Sequence, residues 1–278
     1  MQGYKSALSW YYYQNSERKI EPAIDAWTNE FVAGYKRIVA DKKLSGIMPI
    51  QEGKSALSFP GFVIISEYMM KLKPEDSRKG YSWSAALFAW LFMVFCWNLI
   101  ARSNSVANIM LQHIDWKMDA LVVTFAKHKG DQAGEGLGNQ KHVFANSENP
   151  FICCILCLAV FTWCKQRCAD STMQQLFEGA DCEGRFCTIL NAVLKMIPVS
   201  ANLGALIKDL GSHSNRKGAA SFILSLCECI SAVCVYLRAG WTLGNVQDRY
   251  IFAGISLSVG LWQGSMSQAL PSQSSLLI

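Results

Sequence analysis

The chain has 278 residues, 51% of them hydrophobic and 17% charged, so it can bury a sizeable core and its composition excludes a disordered protein. The net charge of +5 is a mild basic bias, which is compatible with nucleic-acid binding without establishing it. The first residues lack the basic start and apolar stretch of a secretory signal. We therefore expect the eleven cysteines to be reduced thiols, several of them in the core.

Residues 4–43 show apolar side chains at three- and four-residue spacing, which predicts helix. Glycine and proline recur through residues 44–61, which is typical of a linker. Residues 62–72 predict a short helix, and residues 73–83 predict a charged loop that ends near a serine cap.

The stretch "AALFAWLFMVFCWNLIA" (85–101) contains one clearly polar residue, Asn98. Its 17 residues lie at the lower limit for a membrane span, so a membrane helix is one interpretation. The favoured interpretation is a fully buried helix over 84–101, because Arg102 ends the run and an amphipathic pattern follows. A second apolar run, 151–164, is too short to span a bilayer.

The middle of the chain predicts a small hairpin. Residues 120–126 are rich in β-branched and aromatic side chains, residues 127–140 form a long polar turn, and residues 142–146 form the returning strand. Helical patterns then continue almost to the end, with breaks predicted at the following places: 179–184, 211–218 and 238–245. The predicted fold class is mainly α with a small antiparallel β-sheet.

Two cysteine pairs invite a zinc interpretation, Cys154-x-x-Cys157 and Cys227-x-Cys229. Neither has a second pair at zinc-site spacing with a histidine near it. We therefore predict no metal site.

Several polar residues follow one another at intervals through the second half of the chain. They are Arg102 after the apolar helix, Lys127 and Lys129 in the turn "KHKGDQ", His213 and Arg216 in "GSHSNRKGAASF", and Trp241 followed nine residues later by Tyr250. Each alone has an ordinary explanation. An arginine can cap a helix end, turn lysines are usually solvated, and a tryptophan usually belongs to a core.

In this order, the set resembles the signature of the tyrosine recombinases, which are phage integrase-like, site-specific DNA recombinases. That family combines an arginine, a lysine in a β-turn, His-x-x-Arg, a histidine or tryptophan, and a nucleophilic tyrosine. The wording "HSNRKGAA" and "GWTLGNVQDRYIFAG" is most similar to recombinases of eukaryotic mobile elements of the Crypton and DIRS type. One departure is Ser105, where the family usually has an acidic residue.

The resemblance implies DNA cleavage and rejoining through a covalent 3′-phosphotyrosyl intermediate. Arg102 and Arg216 would hold the scissile phosphate, since guanidinium forks match phosphate oxygens. His213 and Trp241 would add donors, and Tyr250 would be the nucleophile. Lys129, with Lys127 as the alternative, would protonate the leaving oxygen.

The resemblance also implies partners. Double-stranded DNA would be held in part by the cations Lys36, Arg37, Lys42, Lys43, Arg78, Lys79 and Lys217. Residues 1–46 would form a partial helical DNA-binding domain and residues 47–278 the catalytic domain. Four protomers would assemble on DNA, exchanging the C-terminal apolar segment, in the nucleus and without a cofactor or membrane.

Three other interpretations stay open at the level of sequence. The first is a catalytically inactive, DNA-binding remnant of a mobile-element recombinase, which Ser105 and the short N-terminal region keep in view. The second is a membrane protein built on the two apolar runs. The third is a type IB topoisomerase, which uses similar chemistry.

Overall fold

The structure is a computed structural model that describes residues 2–50, 53–72, 82–126, 140–165, 174–226 and 232–241. The chain divides into two compact units, Met1–Gly53 and Lys54–Ile278. The predicted boundary after residue 46, and the roles assigned to the two parts, stay predictions.

The first unit contains two helices, α1 (Gln2–Ser16) and α2 (Pro22–Leu44). The predicted helical stretch over 4–43 is interrupted because Glu17 has a left-handed φ of 55° and Pro22 favours the first position of a new helix. Val32 is the one buried hydrophobic side chain among the described residues of this unit.

Polar contacts and an exposed apolar stripe characterise the α1–α2 pair. Lys5 of α1 forms an ion pair with Asp25 of α2 at 2.8 Å. Trp27 and Phe31 stack at a ring distance of 6.2 Å, and both are more than half exposed at 66% and 53%. The first unit therefore has little core of its own.

The second unit is built around α4 (Trp83–Asn98), which packs against α3 (Phe59–Lys71). Every residue from Ala86 to Trp97 is buried. Because protein surrounds α4 on all sides, each face of the helix is apolar. Ser82 caps α4 by accepting a hydrogen bond from the Ala85 N–H at 3.2 Å. The prediction of a fully buried helix here is confirmed.

Four further helices follow α4 around the same core. They are α6 (Cys154–Cys164), α7 (Cys182–Met196), α8 (Ser212–Ser225) and α9 (Ala232–Ala239), while the short α5 (Ser103–Ala107) directly follows the turn after α4. Phe92 lies 4.9 Å from the Phe186 ring of α7, and Phe62 stacks on Trp97 at 4.3 Å. Within the described ranges, no helix is both long and apolar enough to cross a membrane.

One antiparallel sheet packs beside this bundle, in the order β1 (Ile114–Lys117), β2 (Ala120–Thr124) and β3 (Gln140–Val143). The predicted hairpin is confirmed, with the returning strand beginning two residues earlier than expected. The first strand was not predicted, because its four residues alternate too briefly to be distinguished from a turn. The fold class is as predicted, mainly α with a small antiparallel sheet.

Candidate functional site

Four cationic side chains line one open pocket in the second unit: Arg102, Lys141, Arg216 and Arg238. They come from four separate segments, namely the turn after α4, then β3, α8 and α9. No carboxylate is among the described residues that line the pocket. A concave site with this excess of positive charge favours an anionic ligand.

The turn after α4 delivers Arg102 to the pocket. The Ala101 N–H donates to the Cys96 carbonyl and the Ile100 N–H donates to the Trp97 carbonyl, both at 3.1 Å. Ile100 takes the left-handed position of this helix ending, with a φ of 48°. A branched residue there costs about 1–2 kcal/mol, and burial of the Ile100 side chain offsets that cost.

Arg216 is a buried arginine on α8, with 9% of its surface exposed. Its Nη2 donates to the Ala239 carbonyl, and its Cζ lies 5.6 Å from the centre of the Trp241 ring. Burial, together with the nearby charge of Arg102, lowers the pKa of Arg216 to about 10, so the side chain remains charged at neutral pH. Two guanidinium groups this close repel each other, and an anion between them would relieve the repulsion.

Lys141 is one of two pocket cations that the sequence analysis did not select, and Arg238 is the other. It lies on β3 opposite Val123 of β2, and only 5% of its surface is exposed. Burial, followed by the charges of Arg238 and Arg216, lowers the pKa of Lys141 to about 7. A signal was present in the sequence, because alternation puts Lys141 on the same face as the buried Val143.

Arg238 holds two walls of the pocket together. Its Nη2 donates to the Asn98 carbonyl at 2.8 Å, at the end of α4, and to the His142 carbonyl of β3 at 2.9 Å. A cation at a helix C-terminus is favourable because it faces the last carbonyl groups. Burial lowers the pKa of Arg238 to about 10, so it too stays charged at neutral pH.

The segment "GSHSNRKG" (211–218) begins a helix, so the predicted break at this place is wrong. Gly211 has extended backbone before the first turn of α8, and its N–H donates to Ser214 Oγ at 3.0 Å. That bond satisfies a donor that a helix start otherwise leaves unpaired. The loop-like composition of the segment did not indicate this helix start. His213 therefore lies in the first turn of α8, exposed, and three residues before Arg216.

The structure brings together part of the predicted set. Arg102 and Arg216 share the pocket, and Trp241 joins them through its contact with Arg216. His213 does not line the pocket. The predicted Lys127, Lys129 and Tyr250 lie outside the described residues.

The predicted DNA-binding cations divide between the two units. Four of them, Lys36, Arg37, Lys42 and Lys43, lie on α2 of the first unit, where all but the half-buried Lys43 are exposed. Lys217 belongs to the second unit, and its Nζ donates to the Lys54 carbonyl at 2.6 Å. Arg78 and Lys79 lie outside the described residues.

Two of the three cysteines of α6, Cys154 and Cys157, belong to the core, whereas Cys164 is exposed. Burial raises the pKa of the Cys154 and Cys157 thiols, so both stay neutral and act as small apolar side chains. Cys227 and Cys229 lie outside the described residues. Across the described ranges, no three His, Cys, Asp or Glu side chains gather as metal ligands would.

Glu183, in the first turn of α7, is a third residue that the sequence analysis missed, after Lys141 and Arg238. Its Oε1 accepts hydrogen bonds from Ser103 Oγ at 2.7 Å and from Ser212 Oγ at 3.0 Å. These serines are neighbours in sequence of Arg102 and His213. No local pattern identifies Glu183, because acidic residues are common in the first turn of any helix.

Solved structures with a similar chain path include recombinases. XerH bound to its difH substrate in a pre-cleavage complex is 12% identical, covers 75% of this chain and 53% of its own, and has a TM-score of 0.44. XerA recombinase is 12% identical, with coverages of 81% and 67% and a TM-score of 0.45. The FLP recombinase in a Holliday junction complex is 10% identical, with coverages of 80% and 53% and a TM-score of 0.46.

This chain therefore spans about half the length of the XerH and FLP chains. No protein-family model matches the sequence, and neither does any curated protein.

Proposed function

We propose that this protein cleaves and rejoins DNA strands through a covalent 3′-phosphotyrosyl intermediate, as a recombinase of the mobile-element type. The observation that supports this most is the convergence of Arg102 and Arg216, distant in sequence, on one pocket that also contains Lys141 and Arg238. A phosphodiester is the ligand class that suits such a site, because each guanidinium offers a planar pair of donors to phosphate oxygens.

The chemistry follows from where charge develops. When Tyr250 attacks the phosphorus, negative charge grows on the non-bridging oxygens, and donors that are already in place stabilise it. The bond from phosphorus to the 5′ oxygen breaks, and that oxygen takes a proton as it leaves. Lys129 supplies this proton and His213 takes the proton of the Tyr250 hydroxyl in the proposal, as the resemblance implies.

The reverse steps rejoin the strands. A 5′ hydroxyl attacks the phosphotyrosyl phosphorus and releases the tyrosine, so the energy of the original bond is retained in the covalent link. The proposal extends to a tetramer on double-stranded DNA and to action in the nucleus, both of which rest on the resemblance.

The test is to trap covalent protein–DNA adducts on a randomised pool of nicked duplexes. We expect adducts with the wild type and none with Tyr250→Phe, since the phenolic oxygen forms the bond. Tyr236→Phe is the matched control. Among the tyrosines that the structure describes, Tyr236 is the nearest in sequence to Trp241, and the two ring centres lie 5.3 Å apart.

Each outcome has a defined meaning. Adducts that persist in Tyr250→Phe and vanish in Tyr236→Phe would reassign the nucleophile. A folded wild type that binds DNA and forms no adduct would overturn the enzymatic proposal in favour of a DNA-binding remnant. Sequencing the trapped DNA would also identify the recognition site.

A further inference from the structure

One carboxylate oxygen connects the two segments that carry Arg102 and Arg216, two of the three arginines that line the pocket. Glu183 Oε1 accepts from Ser103 Oγ at 2.7 Å and from Ser212 Oγ at 3.0 Å. Ser103 directly follows Arg102 and is 3% exposed, while Ser212 begins α8, which carries Arg216. The carboxylate itself does not line the pocket.

The first turn of α7 holds Glu183 firmly in place. Asp181 Oδ1 accepts from the Gly184 N–H at 3.0 Å, and a Cβ at Gly184 would lie 2.1 Å from Asp181 Oδ2. The next residue, Arg185, places its Cζ 4.3 Å from the centre of the Phe88 ring in the core. The carboxylate is therefore presented from a capped and packed helix start.

The charge of Glu183 also acts close to the pocket. Burial raises the pKa of the Cys96 thiol in α4, the carboxylate of Glu183 raises it further, and Arg216 opposes that effect. The carboxylate and the buried guanidinium thus act on the same buried thiol. A negative charge behind a cluster of cations reduces their mutual repulsion without occupying the ligand site.

We infer that Glu183 is a positioning residue: it ties the start of α5 to the start of α8 and so sets the separation of Arg102 and Arg216. Hydrogen bonds to a carboxylate are about twice as strong as neutral ones, which suits a residue that must hold two segments in register. This inference rests on the proposed function for its effect on cleavage. Its effect on anion binding does not depend on that function.

The experiment compares variants that remove or keep single interactions. Ser212→Ala removes one hydroxyl from Glu183, Ser212→Thr keeps a hydroxyl, and Glu183→Gln keeps an accepting oxygen but removes the charge. Ser82→Ala is the matched control, because it also removes a serine hydroxyl at the start of a helix. Ser82 precedes the first turn of α4, whereas Arg102 follows the last turn of that helix.

Two quantities are measured for each folded variant. The first is the rate of adduct formation on the nicked-duplex pool, with the affinity for the pool measured separately. The second is the concentration of inorganic phosphate that raises the thermal midpoint by a set amount. A misplaced catalytic group can cost about 100-fold in rate, so we expect at least a tenfold slower rate in Ser212→Ala and Glu183→Gln.

We expect Ser212→Thr to restore the rate, the affinity for the pool to change little, and the phosphate requirement to rise in parallel with the loss of rate. Ser82→Ala should keep the wild-type rate and phosphate response, whatever its thermal midpoint. A purely structural role for Glu183 would instead make Ser212→Ala and Ser82→Ala behave alike, and that result overturns the inference.

The two readouts separate this inference from the proposed function. If the wild type forms adducts and the variants of Ser212 and Glu183 form them at the same rate, the proposed function stands and the positioning role of Glu183 is rejected. If the wild type forms no adducts but its phosphate response depends on both residues, the positioning role of Glu183 stands and the proposed function is rejected. Absence of both responses in the wild type overturns both.

Discussion

Arg102 and Arg216, two of the three arginines that line the pocket, have different surroundings. Arg102 is partly exposed at the start of α5, whereas Arg216 is buried, bonded to the Ala239 carbonyl and in contact with Trp241. Fixed charges of this kind suit catalysis because they need no rearrangement when the ligand becomes more negative. Stabilising the phosphate requires more than positive charge. It also requires the planar fork of donors that a guanidinium group offers.

Replacement of either arginine by lysine tests that requirement. We expect Arg102→Lys and Arg216→Lys to lower the rate of adduct formation by about 100-fold or more, the usual effect of removing one preorganised donor. Arg18→Lys is the control, because Arg18 is an exposed arginine of the first unit and does not line the pocket. An equal loss in Arg18→Lys would show that the effect does not come from the pocket.

The pKa of Lys141 makes a prediction about stability and pH. Because burial lowers this pKa to about 7 in the folded protein, the folded state loses the proton at a lower pH than the unfolded chain does. The unfolded state then binds more protons above pH 7, so the Lys141 contribution to the free energy of unfolding rises with pH. The slope is at most about 1.4 kcal/mol per pH unit.

Lys141→Met should remove that contribution. We expect the free energy of unfolding of the variant to exceed that of the wild type most at pH 6.5 and the difference to shrink by pH 8.5, measured by urea denaturation. Subtraction of the two curves cancels the other titrating groups. A difference that does not change with pH would contradict the lowered pKa of Lys141.

At the scale of elements, α8 depends on a close approach that only glycine permits. A Cβ at Gly218 would lie 2.1 Å from the Leu57 carbonyl oxygen and 2.8 Å from the Trp97 ring. Neither neighbour is the flexible end of a side chain, so α8 would have to move and would carry Arg216 with it. The spacing of the cationic pocket is thus tied to the packing of α8 on the segment before α3 and on α4.

Gly218→Ala should therefore destabilise the protein by about 1–3 kcal/mol, the usual cost of overpacking, and should slow adduct formation. Gly34→Ala is the matched control on α2, where a Cβ would meet nothing within 4 Å. It should be stabilising by up to about 1 kcal/mol, since alanine favours helix. Chemical denaturation of the two variants beside the wild type measures both effects. Gly218→Ala with wild-type stability would contradict the close packing.

Helix types were easier to predict than helix limits. The apolar run of α4 was long enough to identify, and Ser82 marks its start both in the sequence and in the structure. The start of α8 was misassigned, because "GSHSNRKG" has the composition of a loop and becomes helical through local hydrogen bonding and packing. Tertiary contacts decided that element against its composition.

At the scale of the molecule, the cations of the first unit predict how DNA binding depends on salt. Each Lys or Arg that contacts a phosphate contributes about 0.9 to the slope of log affinity against log salt concentration. If all four of Lys36, Arg37, Lys42 and Lys43 make such contacts, their simultaneous replacement by alanine should lower that slope by about 3–4.

Fluorescence anisotropy with a random duplex, at several salt concentrations, measures this slope. Lys71→Ala is the control, because Lys71 lies on α3 and is paired with Glu67 at 3.6 Å. It should change the slope by less than one contact. An unchanged slope in the fourfold variant would remove α2 from the DNA-binding surface.

The sequence by itself determined the class of fold, the buried helix and the hairpin, because hydrophobic periodicity is a local property. The pairing of Arg102 with Arg216 was implied by the resemblance to the tyrosine recombinases. Only the tertiary structure decided that Lys141 and Arg238 line the same pocket as Arg102 and Arg216. It also decided that Glu183 connects the start of α5 to the start of α8. The physical reason is that charges and hydrogen bonds act through space. Residues 183 and 103 become neighbours only after the helices between them have packed.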